Sequence, residues 1–172
     1  RCPGLLELSI TDCQKSLSAA SLSSLLSGCP RLSLLEILGS ATDAFADWQD
    51  RSVRQLFELP RVLSIAPNLT ELRVTSCGNT FDLEPDRHPA PVPGLRHLSL
   101  DCEGSRDENT EIALWLLPSL PSLESLRLVS YQASEKHFRQ ILRCLPAGLA
   151  DLKLRFTEIG ARSELGRAVR CR

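Results

Sequence analysis

The segment Leu69-Thr70-Glu71-Leu72-Arg73-Val74 is one of six copies of a single pattern, in which Leu stands at the first and fourth positions and an aliphatic residue at the sixth. Successive copies are spaced by 27, 37, 26, 28 and 26 residues. A block that returns at a nearly constant period is typical of a solenoid, in which each repeat packs on the next along a line. The six copies begin at Leu5, Leu32, Leu69, Leu95, Leu123 and Leu149.

Each block predicts a short β-strand. Side chains alternate between the two faces of a strand, so the fourth and sixth positions share the core face, and the third, fifth and seventh share the opposite face. Strands of successive repeats are expected to lie side by side in a parallel sheet, and each needs a crossover, normally a helix, to reach the next. We therefore predict an α/β fold, a right-handed horseshoe with about six parallel strands on its concave side and mostly helices on its convex side.

The segments between the blocks support this prediction to different degrees. Apolar residues at helical spacing predict helices at 16–28, 110–117 and 134–145, the second ended by Pro118. Ser18 or Ser21 is expected to cap the first helix. Residues 158–172 are predicted to form a final amphipathic helix. Prolines close to four of the blocks are expected to end the helices and direct the chain into the strands: Pro30, Pro67, Pro93 and Pro121.

Two repeats are irregular. The extra residues of the second repeat fall near 41–50, where Phe45 and Trp48 are expected to pack on the convex core rather than to bind a partner. A helix at 52–59 and a short turn at 61–66 are expected to follow. In the third repeat, 78–93 contains four prolines and predicts an extended crossover or surface loop.

Length and composition are those of one repeat domain over residues 1–172. The net charge of −1 disfavours nucleic acid and anionic membranes as partners. No apolar run approaches the ~20 residues that a membrane-spanning helix needs. Since the chain begins directly in a repeat at Arg1, without a polar capping unit, we expect it to be a fragment of a longer protein.

The seven cysteines contain no Cys-x-x-Cys pair, so we expect no structural zinc site. We predict that they are buried free thiols, as in a protein of the cytoplasm or nucleus. The three histidines have no nucleophile placed to form a triad, and no phosphate-binding glycine loop is present. We therefore predict that the chain is not an enzyme and binds no cofactor or metal.

The concave face is the predicted binding surface. Its acidic residues gather toward the first three repeats and its basic residues toward the last two, which favours a partner of complementary polarity, in which carboxylates meet the basic end. The alternative is a solvated face with scattered charge, since aromatic anchors are absent and Tyr131 is expected just past a strand end. Glu36 and Arg73 are lateral neighbours and are expected to pair. The candidate partner-binding residues are Glu7, Glu36, Glu71, Arg73, His97, Asp101, Arg127, Asp151, Lys153 and Arg155.

Two segments, Cys2–Cys13 and Pro67–Cys77, resemble the cysteine-containing leucine-rich repeat of F-box proteins, which is similar to the ribonuclease-inhibitor class. The resemblance implies a substrate-receptor role in a cullin-type ubiquitin ligase, with the linker protein bound by an F-box upstream of Arg1. The final motif position departs from Cys in the other repeats, as Ser40, Glu103, Tyr131 and Thr157. The alternatives are a ribonuclease-inhibitor-like scaffold or regulator without a ubiquitin role and, more remotely, an enzyme with a site in the 41–50 or 78–93 insertion.

Overall fold

Six parallel strands form one sheet in this computed structural model, which describes residues 1–11, 19–38, 63–75, 91–101, 113–133 and 135–159. The strands are neighbours in chain order, from β1 to β6, and the sheet is not closed into a barrel. The fold is thus α/β, as predicted, with a strand at each of the six blocks. The strands are β1 (Glu7–Thr11), β2 (Leu34–Leu38), β3 (Glu71–Thr75), β4 (His97–Asp101), β5 (Ser125–Ala133) and β6 (Asp151–Ile159).

The strands align in one register, so equivalent positions of the six blocks stand beside each other. Leu72 of β3, for example, lies between Leu35 of β2 and Leu98 of β4. These fourth-position leucines are 0–2% exposed from β2 to β5. Since a slip by one residue would turn every one of them to the opposite face, burial of this row specifies the register. The sixth-position residues of the same strands are 0–3% exposed, so the predicted inward pair is confirmed from β2 to β5, whereas Leu8, Ile10 and Leu154 on the outer strands are half-buried.

A tight turn precedes each strand. The N–H of the first leucine of each block donates to the carbonyl three residues earlier, as from Leu69 to Ala66 at 3.0 Å. Proline fits the second position of such a turn because its φ is already near −65°. The prolines near the blocks therefore shape these turns directly, and five of the six turns contain one at that position: Pro3, Pro30, Pro67, Pro93 and Pro121.

A second repeated contact joins adjacent repeats just before the strands. The carbonyl of Thr70 accepts N–H groups from both Arg96 and His97, at 2.8 and 3.0 Å. The same forked contact occurs at all five junctions between neighbouring blocks, where the acceptors are Leu6, Ser33, Thr70, Arg96 and Glu124. Each repeat is thereby held to the next before its strand begins.

Helical segments precede four of the blocks. Helix α1 spans Ala19–Ser27 and helix α2 spans Glu135–Cys144, while 63–65 and 113–116 are also helical. Ser21 lies inside α1, so its predicted role as the N-cap is wrong, and Ser18 lies outside the described residues. The α-helical residues 113–116 end before Pro118, as predicted. A 3-10 helix, Leu117–Ser119, follows, and Pro118 stands near its start, where its missing N–H is not needed.

The predicted apolar faces of the two helices are only partly correct. Leu22 and Leu26 of α1 and Ile141 of α2 are buried, but Leu25 and Leu142 are 39% and 43% exposed. Successive residues of a helix are separated by about 100°, so a helix that packs on one side buries a narrow stripe. Leu142 follows Ile141 directly and therefore turns away from that stripe.

Strands β5 and β6 are longer than predicted. They pair from Ser125 and Asp151 as far as Ala133 and Ile159. Tyr131 therefore lies within β5 rather than past its end, and the predicted final helix is wrong at its start, since Glu158 and Ile159 belong to β6. The extension of β6 contains three residues that favour strands, Phe156, Thr157 and Ile159, whereas that of β5 contains one, Tyr131.

Several predictions concern parts of the chain outside the described residues. These are Phe45 and Trp48, the helix at 52–59, the crossover at 78–90 and residues 160–172. Among the three described cysteines, Cys29 is a buried free thiol, as predicted, and Cys144 is a half-buried one. Cys2 contradicts the prediction because it is exposed. It lies beside the edge strand β1, whereas Cys29 is covered within the core.

Candidate binding face

All ten predicted partner-binding residues lie on one face of the sheet. This polar face consists of the third, fifth and seventh positions of the six blocks. On β3 the alternation is clear, since Leu72 and Val74 are buried while Glu71, Arg73 and Thr75 are half-buried or exposed. The position of the ten residues therefore follows from the two-residue period of the strand and from burial of the leucines.

A groove of about 450 Å³ crosses the polar face from β3 to β6. Seven of the ten predicted residues line it, whereas Glu7, Glu36 and Arg155 do not. The other lining residues include Leu98, which faces the core and gave no sequence signal, and three small polar residues in the same columns as the charged ones. The lining residues are Glu71, Arg73, Thr75, His97, Leu98, Ser99, Asp101, Ser125, Arg127, Asp151 and Lys153.

Arg73 is the centre of a cluster on β2 and β3. The predicted pair with Glu36 is formed at 3.7 Å, but the shorter contact of Arg73 is with Glu71 on its own strand, at 2.6 Å. Ser9 Oγ donates to Glu36 Oε2 at 3.0 Å, which extends the cluster to β1. Residues two apart share a face and are roughly 6.6 Å apart along a strand, so long side chains can meet.

The electrostatic consequence is clear at Arg73. Its hydrogen bond to Glu71 raises the pKa of Arg73, burial of the guanidinium opposes this, and the charges of Glu71 and Glu36 add to the rise. Because the ordinary pKa of arginine is already far above neutral, Arg73 is charged at every physiological pH. Its charge is shared between two carboxylates of the same protein.

Two further carboxylates on the polar face have partners on β5. Arg127 Nη2 lies 3.3 Å from Asp101 Oδ2, a diagonal contact, since Arg127 stands opposite Ser99 in the register. Ser125 Oγ donates to Asp151 Oδ2 at 3.2 Å. The two aspartates of the groove are therefore held in place by residues of β5, the strand next to each of them.

The basic residues of β6 differ from those of β3 and β5 in their side-chain contacts. Lys153 and Arg155 are exposed, and within the described part of the chain neither forms a hydrogen bond or an ion pair through its side chain. His97 is likewise exposed at the middle of the groove without such a contact among the described residues. Lys153 and Arg155 are thus available to a partner molecule.

Charge is distributed unevenly over the polar face. Acidic residues outnumber basic ones on β1–β4, where Arg73 is the one lysine or arginine among three glutamates and an aspartate. Basic residues outnumber acidic ones on β5 and β6, where only Asp151 opposes Arg127, Lys153 and Arg155. The two ends of the face are therefore electrostatically different.

Across the six described stretches, no group of three or more His, Cys, Asp or Glu side chains is arranged to hold a metal ion. None of the described helices is both long and apolar enough to span a bilayer.

Comparison of the chain with models of known protein families, with curated proteins and with solved structures gives no match.

Proposed function

We propose that this chain is a leucine-rich repeat solenoid, a horseshoe with its sheet on the concave side, whose polar face binds a partner protein. The observation that carries the proposal is the common register of six parallel strands, which presents equivalent side chains in straight columns. Such an array displays a wide, continuous surface without contributions from long loops.

The surface is held rigidly enough for recognition. The turn before each block and the forked backbone contact between blocks recur through all six repeats. Side chains on the face are also tied to neighbouring strands, as Arg127 is to Asp101. A preformed surface loses little conformational entropy on binding, which favours affinity.

The groove favours a polar partner surface. Its walls carry charged and hydroxyl side chains, and Leu98, itself buried, is the one apolar residue among the described residues that line it. Recognition through such a groove depends on charge pairs and hydrogen bonds, which contribute to specificity and to the rate of association. We assign no catalytic role to the chain.

For the cellular context, we propose an F-box-like protein that presents substrates to a cullin-type ubiquitin ligase in the cytoplasm or nucleus. The support is the resemblance of Cys2–Cys13 and Pro67–Cys77 to the repeats of such proteins. A ribonuclease-inhibitor-like scaffold or regulator is the alternative. An enzyme with a site at 41–50 or 78–93 is a remote alternative, and these insertions lie outside the described residues, apart from 91–93.

Affinity capture of the protein from cells, followed by mass spectrometry, tests the proposal. The chain offers a matched pair of variants. Ser99→Trp places a large side chain in the middle of the groove, whereas Ser24→Trp places the same side chain on the exposed surface of α1. We expect Ser99→Trp to release the specific partners and Ser24→Trp to retain them.

The identity of the captured proteins separates the two cellular contexts. Recovery of a cullin and its linker, with substrates lost only on Ser99→Trp, would support the ligase. Recovery of other partners with the same sensitivity would favour the scaffold. If Ser99→Trp and Ser24→Trp retain the same partners, the polar face is not the binding surface.

A further inference from the structure

The cations of the polar face fall into two groups, according to whether the protein itself neutralises them. Arg73 is bound by Glu71 and Glu36, and Arg127 by Asp101. Lys153 and Arg155 have no carboxylate within 4.0 Å among the described residues, and both are exposed. Two positive charges on the same face of β6 are therefore without a carboxylate partner in the described part of the chain.

The spacing of these two charges is that of an extended chain. Lys153 and Arg155 are two residues apart on one strand and face the same side, so their Cα atoms are roughly 6.6 Å apart. Alternate residues of an extended peptide have the same separation. Two carboxylates at alternate positions of a peptide that runs along β6 would therefore meet both cations at once.

Arg127 can strengthen this arrangement from the adjacent strand. It stands opposite Lys153 in the register of β5 and β6. Its contact with Asp101 uses one nitrogen of the guanidinium, which has five N–H donors in all. The remaining donors are available to a carboxylate bound at Lys153, and arginine binds carboxylates in a favourable planar geometry.

The neighbouring acids restrict which anion fits. Asp151 precedes Lys153 by two residues on the same face, and Asp101 lies across β5. A peptide can place its carboxylates over the two cations and a neutral residue beside Asp151. A nucleic acid carries a charge at every phosphate and would bring negative charge close to Asp151 and Asp101.

We infer that Lys153 and Arg155, supported by Arg127, bind an extended acidic segment of the partner protein with carboxylates at alternate residues. The inference rests on the proposed function, and it specifies which end of the polar face contacts the acidic part of the partner. The acidic strands β1–β4 then face the neutral or basic part of the same partner.

Fluorescence anisotropy with the full chain tests the inference. The probe is a short labelled peptide with glutamates at two alternate positions in a serine and threonine background. Its counterpart has glutamines at those positions, and a third peptide has the two glutamates adjacent. Lys153→Gln with Arg155→Gln is the test variant. Lys136→Gln with Arg143→Gln, on the exposed surface of α2, is the control with the same loss of charge.

We expect the alternate-glutamate peptide to bind about tenfold more tightly than the glutamine peptide at low ionic strength, because two exposed charge pairs each contribute modestly. The test variant should lose this preference and the control should keep it. The inference would be overturned if the alternate-glutamate peptide bound no more tightly than either of the other two peptides, or if the control variant lost the preference equally. Equally tight binding of a single-stranded oligonucleotide would also overturn it.

The same variants separate failure of this inference from failure of the proposed function. A partner that Ser99→Trp releases but the test variant retains would overturn the inference and leave the proposed function intact. A partner that both release would support the two together. If no change on the polar face releases the captured partners, the proposed function itself is overturned.

Discussion

Arg73 Nη2 lies 2.6 Å from Glu71 Oε1, on the same strand, whereas Arg73 Nη1 lies 3.7 Å from Glu36 Oε1 on the neighbouring strand. The cation is therefore bound mainly along its own strand and only secondarily across the sheet. These contacts affect how a partner can bind, because Arg73, the central arginine of the polar face, is already neutralised by carboxylates of the protein itself.

The relative strength of these two contacts can be measured by double-mutant cycles. We expect a coupling of about 0.5–1 kcal/mol between Arg73 and Glu71, and a smaller one between Arg73 and Glu36, as is usual for exposed pairs. The Arg73 side chain is 46% exposed, so salt at about 1 M should reduce both couplings. Urea unfolding of Arg73→Gln, Glu71→Gln, Glu36→Gln and the double variants gives the values. A larger coupling to Glu36 would contradict the geometry.

Neighbouring residues of β4 should respond very differently to truncation. Leu98 is 2% exposed, so Leu98→Ala should lower the free energy of unfolding by about 2–5 kcal/mol. Ser99 lies on the polar face, so Ser99→Ala should change it by less than about 0.5 kcal/mol. Equal effects in chemical denaturation would show that the two faces of the sheet are assigned wrongly.

Two glycines at the same position of the repeat should differ in their tolerance of alanine. A Cβ added at Gly94 would lie 3.2 Å from the carbonyl oxygen of Pro67, whereas one at Gly148 meets nothing within 4 Å. Gly148→Ala should stabilise the protein by about 0.4–1 kcal/mol, since it restricts the unfolded chain. Gly94→Ala should not bring this stabilisation, because the backbone at Pro67 must move to make room for the methyl group. Thermal unfolding of both variants checks this, and equal shifts in Tm would contradict it.

Cys2 and Cys29 occupy the same position in successive repeats, but their thiols should react at very different rates. Cys2 is exposed and Cys29 is 6% exposed. We expect iodoacetamide to modify Cys29 at least roughly 100-fold more slowly than Cys2, because the reaction of Cys29 requires local opening of the core. Peptide mass analysis of timed samples measures both rates. Similar rates under native conditions would show that the core does not cover Cys29.

Most of the sheet could be predicted from the repeating block. The predicted strand at each block, the inward leucines and the outward columns agree with the structure, as Leu72 and Arg73 illustrate. Each strand begins at the third residue of its block, however, and not at the first as predicted. The helix faces were predicted less well, since Leu25 and Leu142 fit an apolar stripe but are 39% and 43% exposed at its border. The length of β5 and β6 was missed because the block pattern ends before the pairing of Ala133 with Ile159.

Within the candidate site, the sequence placed the ten residues on one face but did not determine their partners. The predicted pair of Glu36 and Arg73 is formed, yet the closer contact with Glu71 was missed. The diagonal contact of Arg127 with Asp101 was also missed. These contacts depend on side-chain length and rotamer, about which strand periodicity carries no information.

The sequence by itself determined where the strands lie, how they align and which side chains face outward. The physical reason is that alternation along a strand, repeated at a near-constant interval, leaves one register in which the leucines are buried. Only the tertiary structure decided which outward charges are neutralised and which stay exposed. Lys153 and Arg127 carry like charges at equivalent positions, but among the residues that the structure describes only Arg127 has a carboxylate within reach, on the strand that lies next to its own.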